Sequence, residues 1–324
     1  MNQTEGSFLP LTVTFDSSVF SGMDNSRRDV VVLSTVFMCL ATVTNLAVIG
    51  TCCLRGLHKP VLLHIAASCV ADVFWGILGI VAHLTSVLVP RRRVSFSTCL
   101  LEMFWMYFTL LQHFLNNILM YVDRHWAIFY PYRYVHLVAQ GNGAAKLVAF
   151  VWLLGITLGA TFPAVATMLL FCDDSIVIYD VTCHVPIVAK SACRNVRLPS
   201  VYSTCVVYTV VGLTALTAAF STCCIVRKCR RDFPSKDNRK ALHTCFTQLA
   251  VCSVHFTCML FVAAFKRFIR SPALGSVLDL IVIVTPAAVN PFIFGLRTQE
   301  IRASFASFFK SICSEVSKYF TKLP

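Results

Sequence analysis

The sequence predicts an all-α fold, a bundle of seven transmembrane helices followed by a short amphipathic C-terminal helix. Three observations carry that expectation. Seven apolar stretches recur along the chain, at 30–54, 61–89, 99–122, 147–171, 198–226, 241–265 and 271–296. A hydrocarbon core of about 30 Å takes roughly 20 such residues to cross as a helix, because no water is present to satisfy a lone backbone N–H or C=O. The composition is 57% hydrophobic and 13% charged, against roughly 25% charged in soluble proteins. The first, fourth, fifth and sixth stretches contain no Asp, Glu, Lys or Arg. A soluble domain could not bury that much unbroken apolar sequence.

Residues 1–29 form a polar N-terminal tail with no basic segment leading into a short apolar stretch, so the first span serves as a signal-anchor rather than a cleaved leader. Residues 30–297 make up the seven-helix domain and 298–324 the cytoplasmic tail. With the N-terminus outside, the inner loops and tail hold 17 Lys and Arg and the outer segments 11. That balance follows the positive-inside rule. It predicts a multi-pass plasma-membrane protein with an extracellular N-terminus. The net charge of +13 reflects topology and lipid contact, and nucleic acid is excluded as a partner. Asn2-Gln3-Thr4 is the one N-glycosylation sequon and falls in the outer tail.

Each span carries its own marks. Asn45 lies in the first. Leu57-His58-Lys59-Pro60 leads into the second, with Asp72 midway along it. Cys99 opens the third, Glu102 sits near its outer end, and Asp123-Arg124-His125 closes it, followed by Ala127-Ile128 and Pro131-Tyr132-Arg133-Tyr134. Trp152 marks the fourth. The basic segment 227–240 separates the fifth from Lys240-Ala241-Leu242-His243-Thr244-Cys245, which opens the sixth. The seventh carries Asp279 and ends in Asn290-Pro291-Phe292-Ile293-Phe294. Ionisable residues inside a membrane are expensive and mark function by default. An Asp beside an Arg at the inner boundary can hold the guanidinium in a local ion pair until a cytoplasmic partner takes it. After the last span, Ile301, Phe305, Phe308, Phe309 and Ile312 share one helical face, as an amphipathic helix on the inner membrane surface requires. Cys313 beside it reads as an unmodified membrane-facing thiol, with palmitoylation the alternative.

This ordered set resembles the rhodopsin-like G protein-coupled receptors over nearly the whole chain. The Leu-His-X-Pro stretch, the Met120-X-X-Asp123-Arg124 stretch with its Pro-X-X-Tyr, and Lys240-Ala241-X-X-Thr244-Cys245 resemble the odorant receptors of vertebrates in particular. The resemblance implies a receptor that binds a small-molecule odorant from outside. It implies activation of a heterotrimeric G protein of the stimulatory olfactory type, which raises cyclic AMP. Neither an enzymatic reaction nor a cofactor or metal is implied. Asp123, Arg124, Asp72, Asn290, Pro291 and Phe294 are the implied activation and coupling residues. His125 stands where Tyr is usual, Phe294 lacks the hydroxyl of the usual Tyr, and Phe256, preceded by His255, replaces another Tyr. His113 stands where Glu is common, which argues against sodium beside Asp72. The departures imply a divergent branch, such as one from a fish.

Most of the sixteen Cys lie within spans or on the inner side, where they act as small apolar residues. Cys99, Cys172, Cys183 and Cys193 face the oxidising side, and four Cys allow three pairings. The resemblance implies Cys99 with Cys183 and Cys172 with Cys193. For the ligand, Met106, Tyr107, Leu110 and Leu111 share one face of the third helix. The family pattern sets Val206, Val210, Phe256, Met259 and Leu260 at matching depth. Met106 occupies the place of the Asp that pairs an amine in aminergic receptors, and no Lys in the seventh span can carry retinal.

The alternatives are a non-olfactory rhodopsin-like receptor for a small ligand and, from another class, a transporter or channel. The spans do not repeat, and only Asp72 is charged near mid-depth, unlike the repeats and several midplane polar groups of a transporter. Neither His-Glu-X-X-His nor Gly-X-Ser-X-Gly is present to suggest a membrane enzyme. Arg91, Arg92, Arg93, Lys190, Arg194, Arg197, Lys266, Arg267 and Arg270 form a basic outer rim with few acids in the sequence around them. That rim predicts steering of small anions, while Glu102 and Asp279 argue for an ammonium group instead.

Overall fold

The computed structural model describes residues 12–16, 25–57, 59–89, 91–139, 142–178, 182–194 and 196–231, then scattered residues of 242–257, residue 285, and 287–294 and 301–303. Most of the sixth and seventh predicted spans, Asp279, and the tail beyond 303 with Cys313 lie outside the described residues. Five long or medium helices carry the bundle: α1 (Asn25–Arg55), α2 (Pro60–Leu88), α3 (Phe96–Phe129), α5 (Gly143–Ala166) and α7 (Arg197–Arg231). Between them lie short α4 (Pro131–Tyr134), continued by a π-turn at Val135–Ala139, and α6 (Val185–Lys190). Four helices among the described residues are long and apolar enough to cross a membrane: Val32–Arg55, Pro60–Ala82, Gly143–Ala166 and Arg197–Arg231.

The helix boundaries follow local chemistry. Gly56, with φ 99°, turns the chain off α1, a conformation for which a side chain is a hindrance. Pro60 begins α2, where its missing N–H would have had no partner anyway. Ser95 caps α3 by accepting from the Thr98 N–H at 3.2 Å. Asn142 takes a left-handed φ of 54° before α5, and a Cβ on Gly143 would fall 2.0 Å from the Leu137 carbonyl oxygen. That turn therefore needs glycine. α5 stops at Ala166, short of residue 171, and the chain beyond it turns so that Leu170 bridges to Arg194.

The all-α expectation describes the bundle but misses a three-stranded sheet at one end. Its order is β2-β1-β3, with β1 (Thr12–Asp16) between β2 (Arg91–Ser95) and β3 (Ser175–Ile178). β1 runs antiparallel to β2, with Phe15 opposite Arg92, and parallel to β3, with Val13 opposite Ile176. Thr12–Asp16 of the N-terminal region is thus built into the sheet. Alternation sends Val13, Phe15, Ile176 and Ile178 down into the bundle and Thr12, Arg91, Arg93 and Ser175 outward. Because α1 to α3, α5 and α7 alternate in direction, the chain start, the α2–α3 link and the α5–α6 link all meet at this sheet end.

α3 is the hub, packed against α2, α5 and α7. Its approach to α5 depends on Gly155 and Gly159, one turn apart. A Cβ at Gly155 would sit 2.2 Å from Gln112 Oε1, and one at Gly159 3.0 Å from the Phe108 Cα. Small residues at such crossings let two backbones come close in a membrane, where packing replaces hydrophobic drive. Trp152 then lays its ring edge-on to Phe108, with centroids 5.8 Å apart. Gly159→Val is expected to destabilise the bundle by about 1–3 kcal/mol through overpacking. Gly212→Ala, whose Cβ meets nothing within 4 Å, should have no such effect. Thermal unfolding of the two purified variants, with surface delivery in cells, checks the contrast.

Candidate functional site

Two groups of predicted residues gather on α3, one near the sheet and one near the opposite end. In the first, Tyr107, Leu111 and Val210 are buried in one apolar cluster, with Met106, Leu110 and Val206 packed against it. Met106 and Leu110 also reach a second cluster of Ala41, Trp75 and Ala287, so α3 fills the centre between them. The Tyr107 ring stacks on Phe162 of α5 at 3.7 Å between centroids, and its hydroxyl meets the backbone of Val185 in α6. Tyr202 meets Phe162 edge-on and donates from its hydroxyl to Thr161 Oγ1 at 2.6 Å. Phe256 sits elsewhere. It packs with Tyr121 and Ala218, its ring 6.1 Å from Phe114, about two turns beyond Tyr107 along α3. Met259, Leu260 and Asn2 lie outside the described residues.

The sheet covers this cluster. Cys99 of α3 is bonded to Cys183, just before α6, and Cys172 to Cys193. The first bond fixes the α5–α7 connection over the top of α3, and the second closes that connection on itself. Cys99 and Cys183 are both fully buried among Val13, Phe15, Phe96 and Phe171.

The basic rim is partly neutralised, a correction to the charge count. Arg91 pairs with Asp16 at 3.4 Å, across the β1–β2 register. Arg92 turns inward, bonds Glu102 at 3.1 Å and lies 4.5 Å above the Phe15 ring. Glu102 therefore holds a guanidinium and is not a spare acid for an ammonium group. Arg93, Lys190, Arg194 and Arg197 are exposed, and Lys266, Arg267 and Arg270 lie outside the described residues.

A buried polar knot crosses the bundle at mid-depth. The Asn290 amide donates to both oxygens of Asp72, at 3.2 and 3.0 Å. His113 Nδ1 stands 3.3 Å from the same carboxylate. Asn45 donates to the carbonyls of Ala41 and Ala287, both at 2.8 Å, tying α1 to the helical residues 287–294. Asp72, Asn45 and Asn290 are all essentially without exposure. A carboxylate in such a place persists only with several donors around it. Pro291 and Phe294 follow on that segment. Phe294 is buried with Val48, Leu62, Ile65, Met120 and Ile301, an apolar setting that accommodates a ring without a hydroxyl.

At the far end, Asp123 does not depend on its neighbour Arg124 for a partner. Its Oδ1 accepts from the Tyr134 hydroxyl at 2.9 Å and lies 3.3 Å from His64 Nε2. Burial, and then the Asp123 carboxylate, hold the Tyr134 phenol above its usual range, so it stays a donor. Lys228 of α7 donates to the Ile128 carbonyl at 2.8 Å and sits over the Phe129 ring. His64, Phe162 and the strand Thr12–Asp16 were not singled out from the sequence. A titratable ring within an apolar span was the available signal for His64.

A family profile described as Olfactory receptor matches residues 32–311. Olfactory receptor 10H1 of Homo sapiens is 28% identical over 271 residues, which cover 79% of this chain and 80% of the relative. Olfactory receptor 4E2 of Homo sapiens is 26% identical over 293 residues, 88% of this chain and 91% of the relative. Olfactory receptor 10H28 of Mus musculus is 26% identical over 267 residues, 80% and 82% of the two chains.

The disulfide closing the lid yields a prediction. Cys99→Ala or Cys183→Ala is expected to cost about 2–5 kcal/mol, enough to abolish surface delivery. Flow cytometry of tagged variants checks the loss. Non-reducing peptide maps that join Cys99 to any other Cys would contradict the assignment.

Proposed function

The chain belongs to the olfactory receptor family, and on that premise we propose that it binds a small odorant beneath the sheet and activates a stimulatory, olfactory-type heterotrimeric G protein, raising cyclic AMP. The observation that carries this reading is the family match, which runs from α1 to beyond Ile301. Its family members are receptors rather than enzymes, and the chain is an odorant-sensing, multi-pass plasma-membrane protein. The sheet end is the extracellular end in this proposal, with Asn2 open to glycosylation. The greater share of Lys and Arg in the opposite loops and tail supports that orientation. Residues 30–297 are the receptor domain and 298–324 the cytoplasmic tail.

Met106, Tyr107, Leu110, Leu111, Val206 and Val210 make the proposed odorant wall. Phe256, with Met259 and Leu260, is its proposed floor, consistent with the contact between Phe256 and Phe114 further down α3. Apolar and aromatic linings with a few polar atoms suit small organic molecules. Asp72, Asn290, Pro291 and Phe294 form the proposed switch in the transmembrane core. Asp123 and Arg124 form the proposed coupling end, beside the basic turn Lys228–Arg231 region of α7. Odorant binding favours the active arrangement only by the difference in its affinity for the two states.

Replacing Arg124 with Ala is expected to leave surface level and odorant binding intact and to cut the maximal cyclic AMP response at least about tenfold, a loss of roughly 1.4 kcal/mol in the coupling equilibrium. Full signalling at equal surface level would reduce Arg124 to an interfacial residue. The exposed Arg93, Lys190, Arg194 and Arg197 still favour anions at the mouth. Among matched carboxylate, alcohol and amine odorants the carboxylate is expected to be the most potent, with its advantage shrinking as salt rises. Dose–response curves at two salt concentrations check this. Equal potency of the alcohol or amine would remove the steering.

A further inference from the structure

His64 enters α2 one turn after Pro60, in a stretch otherwise made of Val, Leu, Ile and Ala. Its side chain is 2% exposed and that of Asp123 1%, and the two meet at 3.3 Å between Nε2 and Oδ1, within ion-pair reach but not aligned as a hydrogen bond. From the other side, Tyr134 of α4 donates to the same oxygen at 2.9 Å. One buried carboxylate oxygen therefore joins α2, α3 and α4. Arg124, the adjacent cation, has its buried Nε without a hydrogen-bond partner among the described residues. The surroundings of the junction are apolar, with Leu62, Ile65, Ala66 and Met120 packed together beside it.

We propose that His64 is a positioning residue for coupling: with Tyr134 it clamps Asp123 and so holds the far ends of α2, α3 and α4 together in the resting receptor. The inference rests on the reading of the chain as a G protein-coupled receptor. A buried carboxylate is tolerated only while its donors remain in place. Removing the imidazole or the phenol leaves that charge with one polar contact fewer in the closed arrangement. In an open arrangement water reaches the carboxylate and replaces the lost contact. The balance therefore moves towards opening, as any group that stabilises one state alone must shift the population when it is lost. Arg124 is released by the same step, because the segments packed around Asp123 separate.

The test uses the full-length receptor purified in detergent and three variants. His64→Phe keeps an aromatic ring and removes the nitrogen that faces the carboxylate. Tyr134→Phe removes the donating hydroxyl, and His64→Gln keeps an N–H near the place of Nε2. Hydrogen–deuterium exchange reads the clamp without any G protein. Amides of Pro131–Ala139 should exchange at least about tenfold faster in Tyr134→Phe, the size expected from losing one hydrogen bond to a charged group, and several-fold faster in His64→Phe. His64→Gln should stay within about twofold of the parent protein. Unchanged exchange in both Phe variants overturns the clamp, whatever their signalling. Should His64→Phe fail to reach the membrane, His64→Leu takes its place with the same expected gain in exchange, and unchanged exchange in it overturns the clamp.

Ligand-free nucleotide exchange on the stimulatory G protein then reads the consequence. His64→Phe should raise it several-fold over the parent, and Arg124→Ala in that background should remove the gain. In an Asp123→Asn background, His64→Phe should add nothing further. An undiminished effect there means that His64 acts through some other group and overturns the proposal. Faster amide exchange with no nucleotide exchange from any variant supports the clamp and overturns the coupling reading instead.

Discussion

A membrane interior offers no water to a polar side chain, and among the described residues α3 buries more polar side chains than any helix around it. Gln112, His113, Asn116, Asn117 and Asp123 are all buried along it. Each needs a partner within the protein, and the rest of the bundle is placed accordingly. α2 supplies Asp72 and His64, α4 supplies Tyr134, and Gln112 donates to Asn116 at 3.0 Å within α3 itself. Asn290 then draws the 287–294 segment onto Asp72. The apolar helices need only a surface to pack on. α3 needs specific neighbours, so it sets the arrangement.

Packing around that axis differs from side to side. Towards α5, glycine removes the barrier to close approach and aromatic rings fill what is left, with Phe108 between Gly159 and Trp152. Towards the sheet, α3 is fastened covalently through Cys99 and roofed by strands from three distant parts of the chain. Tyr107 belongs to both settings, stacked on Phe162 below the lid and touching Val185 within it. A molecule that displaced this ring would disturb the lid and the α3–α5 contact together.

The helices were legible in the sequence because hydropathy is a local property: 25 apolar residues announce a span whatever surrounds them. The sheet was not. Thr12–Asp16 is five residues of alternation whose partners lie near residues 93 and 176, and nothing local reports that pairing. The rim was misjudged for a related reason. Counting Arg91 and Arg92 as free charges ignores Asp16 and Glu102, which the strand register and the first turn of α3 bring opposite them. His64 is not legible in the sequence because a neutral imidazole adds no formal charge to an otherwise apolar span. Phe256 shares a helix with Met259 in the sequence, but its depth depends on how that helix sits against α3. The disulfide partners came from the family resemblance, since four outward Cys allow three pairings.

The two ends of α3 are tied differently, and that bears on how a signal could cross it. Tyr107 and Asp123 are 16 residues apart, about 24 Å along one unbroken helix. Near the sheet, α3 is anchored by a covalent bond and stacked rings. At the far end it is held by two contacts to one carboxylate oxygen. A small tilt or rotation imposed near Tyr107 therefore meets firm resistance at its own end and weak, short-range resistance at the other. A hydrogen bond to a carboxylate weakens steeply once its donor angle falls below about 120°, whereas apolar contacts slide. The far end is thus where a stiff rod transmitting a small movement would first give way, and it is the end that carries Arg124.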